Sequence, residues 1–189
     1  MAEKTTFGGE FKTSEESSRT EIVLGKAEGS AYVAALLYLS KVEASDSGER
    51  TLGDYVVAYA VEEAEGLYQM RGGKLEFQEH PEENCHLEIS VRSAADGRFL
   101  PGLRVRITVA EEGGGEVGTY DLPFLWHPWI YHYGRNLTVP SDGNYRLRVQ
   151  VDAPDFPRHD RINGKRFEEP IDTEFKIRIK TGRNISRAA

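Results

Sequence analysis

Tyr145-Arg146-Leu147-Arg148-Val149-Gln150-Val151 alternates apolar and polar side chains at every position. Alternation of period two marks a strand with one buried and one wet face. The pattern recurs upstream, where Leu103, Val105, Ile107 and Val109 alternate with Arg104, Arg106 and Thr108. It recurs downstream, where Phe175, Ile177 and Ile179 alternate with Lys176 and Arg178. Each segment reads as an antiparallel strand packed on one side. Two more strands are expected at Asp54–Val61 and Cys85–Arg92, both rich in Val and in Tyr or Ile. Turn-forming clusters separate them at Ser45–Gly48, Arg71–Gly73, Ala95–Gly97, Glu112–Glu116 and Ser141–Asn144. Gly113–Gly115 lies between two strand patterns and reads as a hairpin turn. Short strands at that spacing predict an all-β fold, an antiparallel β-sandwich.

The chain has 189 residues, enough for one domain with a sizeable core. Residues 1–19, with the run Thr13–Thr20, read as a flexible polar leader, and 20–189 as a single sandwich domain. Ser30–Val42 fits a short helix by its Ala and Leu content and a strand by its aromatics. A net charge of −7 argues against nucleic acid or an anionic membrane as partner. The single cysteine, Cys85, excludes an intramolecular disulfide and a multi-thiolate zinc site. No signal peptide is visible at Met1–Phe7, and the longest apolar stretch, Ala31–Leu39, is half a membrane span. A cytosolic chain, or a mature domain whose leader has been removed, is the expectation from these features.

The chemistry centres on five histidines. His86 and Glu88 stand two apart on a strand, so imidazole and carboxylate project from one face while Leu87, Ile89 and Val91 form the core face. Such a pair is either a solvated strand face or half of a metal site. Cys85 points the opposite way and reads as a small buried hydrophobe. Leu122–Gly134 holds two Trp, two Tyr, one Phe and two His, a density of aromatics that must bury against something. His127 and His132 inside it are either satisfied core histidines or ligands behind an aromatic wall. His159 sits in a loop between Arg158 and Asp160, and His80 precedes Pro81 among glutamates. No catalytic triad, phosphate-binding glycine loop or HExxH motif occurs, so a binding protein is expected over an enzyme.

His86-Leu-Glu88, His132-Tyr-Gly134, the strand Gly143–Val151, Arg158-His159 and Phe167-Glu-Glu-Pro170 occur in that order. Over roughly residues 84–180 this set resembles the periplasmic Fe2+-transport (iron-transport) family of bacteria. The resemblance implies an immunoglobulin-like β-sandwich of high-affinity iron uptake that binds copper as well as iron. It implies His86, His132 and His159 as imidazole ligands with Glu88 as a nearby carboxylate. It also implies a periplasmic location, a homodimer with the site near its interface, and a membrane iron permease as recipient of the metal. The family carries a methionine seven residues before the His-Tyr-Gly histidine; here that position is Leu125. His127, two residues further on, is a candidate replacement donor, which would make a nitrogen-rich site.

Neutral imidazoles suit Cu2+, Fe2+ and Zn2+, and Glu88 would make Fe2+ or Mn2+ more acceptable. Binding is expected to fade below about pH 6 as histidines protonate. The competing expectation is a structural or protein-interaction sandwich in which the histidines are incidental and Trp126 and Trp129 mediate contact.

Overall fold

The computed structural model describes residues 9–80 and 82–181. One helix, α1 (Arg19–Val42), precedes eleven strands: β1 (Asp46–Leu52), β2 (Tyr55–Glu62), β3 (Leu67–Arg71), β4 (Lys74–Gln78), β5 (Cys85–Ser93), β6 (Val105–Glu111), β7 (Glu116–Leu122), β8 (Phe124–Trp126), β9 (Tyr131–Leu137), β10 (Gly143–Val151) and β11 (Ile171–Ile179). Two antiparallel sheets, ordered β1-β2-β5-β9-β8 and β11-β10-β6-β7, face each other, and β3-β4 forms a separate hairpin. The immunoglobulin-like antiparallel sandwich expected from the sequence is therefore the architecture found, with a helix added.

The alternating segments supply the core as expected. Ile107, Val109, Leu147, Val149, Ile177 and Ile179 from one sheet meet Val57, Leu87, Ile89 and Val91 from the other. On β10 and β11 the intervening residues are exposed, apart from half-buried Gln150. Tyr133 closes the core, its hydroxyl donating to Leu100 O at 2.7 Å and accepting from Leu103 N at 3.0 Å. The Gly113–Gly115 turn joins β6 to β7. Gly72 and Gly73 form the two-residue loop between β3 and β4 with φ of 54° and 80°, values that suit glycine.

Two segments differ from the sequence reading, and a third, Ser30–Val42, is decided between the two alternatives left open. Ser45–Gly48, read as a turn, leads into β1, and Asp46–Gly48 pair with Tyr59–Val61 of β2. Cross-strand pairing supplies what these three small or polar residues lack in strand propensity. Residues 9–18 are not loose: Lys12 exchanges two hydrogen bonds with Asn163, and Ser14 and Ser17 both donate to Asp160. Arg166 lies over the Phe11 ring, 4.6 Å from its centre. Residues 1–8 of the expected leader lie outside the described residues. Ser30–Val42 is helical, and the helix runs back to Arg19 because Ser18 and Glu21 form a capping box.

The helix is longer than the apolar stretch suggested, and by length and composition it is long and apolar enough to cross a membrane. Here it lies against the outer face of the five-stranded sheet. Leu39 is buried with Ala60 and Ile130, and the Tyr32 hydroxyl is 3.0 Å from Ser90 Oγ. The helix meets the Ser93–Arg98 turn at Gly29, where a Cβ would fall 1.9 Å from Asp96 O. Glycine in mid-helix is unfavourable by about 1 kcal/mol relative to Ala, so its presence is explained by this close approach. Gly29→Ala should lift α1 from the sheet. Overpacking of this kind destabilises by about 1–3 kcal/mol, readable as a lower thermal midpoint and faster amide exchange confined to α1 and the Ser93–Arg98 turn.

Candidate metal centre

All nine residues of β5 are buried, although the sequence reading left open a wet outer face. The strand is central in its sheet, between β2 and β9, and α1 lies beside it. His86, Glu88, Ser90 and Arg92 thus form a polar row inside the molecule. The register pairs His86 with Asn136 and Glu88 with Gly134 of β9. On the same face, His132 precedes Gly134 by two residues.

Gly134 makes the gap into which the two imidazoles lean. A Cβ there would meet His132 Cδ2 at 2.8 Å, His86 Nε2 at 2.9 Å and Leu125 Cδ1 at 3.0 Å. Glu88 Oε1 lies 3.2 Å from His132 Nε2 and 3.8 Å from His86 Nε2. The imidazole planes are 85° apart, with centres 5.9 Å from each other. The ligand atoms of the three residues lie within 4.8 Å of one another. Donors on one tetrahedral ion with bonds of about 2.0–2.1 Å stand roughly 3.3 Å apart, so little movement is needed to close the set.

Asn136 fixes one tautomer. Its Nδ2 donates to Glu65 O at 2.6 Å and its Oδ1 accepts from Glu65 N at 3.2 Å, which sets the amide's orientation. The same Oδ1 lies 2.7 Å from His86 Nδ1. A carbonyl oxygen only accepts, so His86 carries its proton on Nδ1 and presents a bare Nε2 beside Glu88. Neither nitrogen of His132 has a hydrogen-bond partner, nor do buried His86 Nε2 and Glu88 Oε2. Buried polar atoms without partners are rare because each carries a desolvation penalty. One such atom from each of His86, Glu88 and His132 can face a common point, and together the three fit a cation's donor set.

Burial dominates the electrostatics. It pulls His132 down to about 3, helped by the neighbouring His86 and His127. It lowers His86 too, against the opposing effect of the hydrogen bond His86 donates to Asn136. It pushes Glu88 up to about 9, with Glu62 and Glu65 adding repulsion. Both imidazoles are therefore neutral and the carboxyl protonated at neutral pH in the metal-free chain. Glu62, held at about 7 mainly by burial and then by Glu65, extends the acidic surroundings.

The other sequence candidates lie apart from this trio. His127 stacks edge-on to Trp129 at 5.4 Å with its buried Nδ1 unpartnered, outside the clustered set. It is held back by the turn from His127 N to Ile130 O. His159 is exposed on the β10–β11 connection and lines a separate cavity with Phe11, Asp160 and Asn163. The chain's own fold does not bring it to His86 and His132. Leu125 reaches the site only as an aliphatic wall against Gly134. Cys85 is fully buried in the core, its thiol pushed up to about 12 by burial, as expected of a small hydrophobe. The aromatic segment is not wholly buried: Trp126 is 70% exposed and Phe124 47%, and among its Trp, Tyr and Phe rings only Tyr133 is buried. The β8–β9 hairpin is a sheet edge, so one side of its ring cluster faces out. Asn136 and Gly134 were not among the sequence candidates, because only the β5–β9 register places them beside His86 and Glu88.

Fold and site together define a β-sandwich with a buried two-histidine, one-carboxylate centre between two adjacent strands. The family described as Fe2+ transport protein matches residues 68–180, and the chain belongs to that family. Among solved structures it is similar to FetP of uropathogenic Escherichia coli strain F11, with a TM-score of 0.60 and 19% identity over 70% of this chain and 92% of that one. It is also similar to copper-reconstituted P19 of Campylobacter jejuni, with a TM-score of 0.58 and 17% identity over 69% and 92%. A copper-bound P19 variant with isoleucine in place of a methionine gives a TM-score of 0.56 and 17% identity over 70% and 94%. No curated protein matches the chain.

The raised Glu88 carboxyl has a consequence for stability. In the fold it holds its proton up to about 9, against an ordinary value of 4.5. Its contribution is therefore fully favourable below about 4.5 and is lost as pH rises through 9. Glu88→Gln keeps the shape and supplies an N–H for the bare imidazole nitrogens. The metal-free variant should be more stable than the parent at pH 7–8, on the order of 2 kcal/mol. Urea denaturation of both proteins at pH 4.5 and 8 checks this, with the gap expected only at the higher pH.

Proposed function

We propose that this chain is a non-catalytic metal-binding protein of iron acquisition. In this reading it holds Cu2+ or Fe2+ through His86 Nε2, His132 and Glu88 and passes the metal to a transport system. The observation that carries the reading is the buried trio of donors with unpartnered atoms converging on one point. Family membership supports iron as cargo, and the copper-bound FetP and P19 structures support copper as a second ion. Zn2+ and Mn2+ suit the same donors less selectively. Three protein donors leave an open position, as a carrier that must release its ion requires. A periplasmic location and a membrane iron permease as recipient are part of this reading and rest on the family resemblance alone.

Leu125 removes a thioether from the donor set inferred from the family, and its aliphatic side chain keeps the wall dry. The copper-bound isoleucine variant of P19 shows that this neighbour holds copper with one methionine replaced by an aliphatic residue. His127 is a reserve donor one turn away. His159, exposed and remote within its own chain, joins the donor set only if a second copy delivers it, which a homodimer formed over the site would do.

A second reading is favoured by one observation. Phe124, Trp126, Trp129 and Tyr131 expose large apolar surface on the β8–β9 edge, and exposed aromatics at a sheet edge mark contact surfaces. An interaction domain with incidental histidines predicts no specific metal and self-association sensitive to Trp126→Ala.

Isothermal titration of metal-free protein with Cu2+, Zn2+, Fe2+ and Mn2+ separates the two. Metal binding should be sub-micromolar, one ion per chain, and lost in the His86→Ala/His132→Ala double variant. Histidine-independent or absent binding would leave the interaction reading standing. The same titration tests the protonation scheme. Because the histidines are already neutral, one proton per ion should leave Glu88 at pH 7, seen as a buffer-dependent heat. Apparent affinity should rise about tenfold per pH unit from 7 towards 9 and then level. The loss of binding on acidification thus begins at Glu88, well above the pH 6 expected from ordinary histidines.

A further inference from the structure

Beside the metal centre lies a chamber of about 140 Å3 between α1 and the outer sheet face. Leu36 and Leu39 roof it, and Ala58 and Ala60 on β2 leave room beneath. It runs along β5 from Glu88, past Ser90, to Arg92. Arg92 is the group that metal binding leaves unexplained. Its side chain is only 7% exposed. One terminal amino group, Nη2, donates to Glu49 Oε2 at 2.7 Å, while Nη1 is buried without a partner. A guanidinium keeps its charge in any protein, and an unmet charged donor inside a fold is costly. Glu49, 58% exposed, offsets the charge from the solvent side, where water screens it.

We infer that the chamber is a binding site for a small aliphatic carboxylate, with its anionic end on Arg92 and its carbon chain between Leu36, Leu39, Ala58 and Ala60. The fork of N–H donors suits a carboxylate. The apolar walls suit a few methylene groups and disfavour a compact, multiply charged anion such as phosphate. A cavity of this size holds a ligand of about six heavy atoms, which matches propionate or butyrate. This site stands on Arg92 and the chamber and goes beyond the metal reading; only its coupling to the centre rests on that reading. A divalent ion held by Glu88 and His132 would leave net positive charge at the other end of the chamber. Metal and carboxylate should therefore strengthen each other's binding reciprocally.

Propionate titrated into metal-free full-length protein, followed by calorimetry and by backbone amide shifts, is the test. Saturable one-to-one binding with a roughly millimolar Kd is expected for a ligand this small, with shifts at Ser90, Arg92 and α1. Arg92→Gln should weaken it at least tenfold. Because that variant also loses the Glu49 pair, Ala58→Leu serves as a second probe, filling the chamber while leaving Arg92 and the metal donors in place. With near-UV circular dichroism unchanged, it should abolish binding. No saturable binding to the parent protein, binding that survives Ala58→Leu, or phosphate binding as tightly as propionate would each overturn the assignment. Repeating the titration with one equivalent of Cu2+ should raise propionate affinity several-fold. A chain that fails to bind Cu2+ sinks the metal reading but leaves the metal-free propionate result to decide the chamber.

Discussion

The structure depends on burying a polar row on one face of a central strand whose other face forms the core. His86, Glu88, Ser90 and Arg92 project from the face of β5 opposite the sandwich core, and a sandwich strand normally leaves that face to water. Covering it with α1 strands charges and ring nitrogens in a low dielectric, which is unfavourable unless partners are supplied. Partners are supplied at only some positions: Asn136 for His86 Nδ1, Tyr32 for Ser90 and Glu49 for one arm of Arg92. The atoms left over are His86 Nε2 and Glu88 Oε2 at the centre and Arg92 Nη1 at the chamber. A fold under selection for stability alone would replace this row with Val and Thr. Its retention is intelligible as stability exchanged for a site.

The sandwich was legible because alternation survives wherever one face stays wet. On β10, buried Leu147 and Val149 flank Arg148, which pairs with Asp172 on β11; period two and packing agree there. The centre was half legible. His86 and Glu88 share a face by spacing alone, and His132 stood out among its aromatics. Asn136 and Gly134 could not be read, because their role follows from the pairing of β5 with β9, a contact across some fifty positions of chain (His86 with Asn136). His159 follows a strand in the sequence as a ligand loop would, yet it lines a separate cavity with Phe11 and Asp160. The first half of the helix was missed for another reason. Ser18-Arg-Thr-Glu21 is a capping box embedded in a run of Ser and Glu that reads as a polar leader. Lys26 and Glu28 then interrupt the apolar pattern behind it. The aromatic hairpin misled in the opposite sense, because ring density signals contact but leaves open whether the partner belongs to the same chain.

Geometry also assigns unequal roles to the two histidines. His86 is oriented by an amide that is itself held at both ends by Glu65, so its lone pair is fixed before any ion arrives. His132 has no such partner on either nitrogen and lies 3.2 Å from Glu88 Oε1. One fixed donor and one adaptable donor suit a site that must accept an ion and later release it. An ion held by two locked imidazoles and a charged carboxylate would leave slowly. The protonated Glu88 contributes in the same direction. Under the proposed function, returning its proton would dismantle one metal–ligand bond from within, without moving a strand.

The helix links the two halves of that row. The family match begins at residue 68, so α1, β1 and β2 all lie outside it, yet they provide the roof over the centre, the small residues beneath the chamber and the Glu49 partner of Arg92. The matched part of the chain supplies the donors, and the preceding part decides what surrounds them. Undocking α1 would rehydrate Glu88 and Arg92 together. The carboxyl would fall back towards its ordinary range and the guanidinium would no longer need an anion. Helix position, proton and ligand occupancy are therefore coupled through one buried strand face. The close approach of Gly29 to Asp96 fixes where the helix can rest on it.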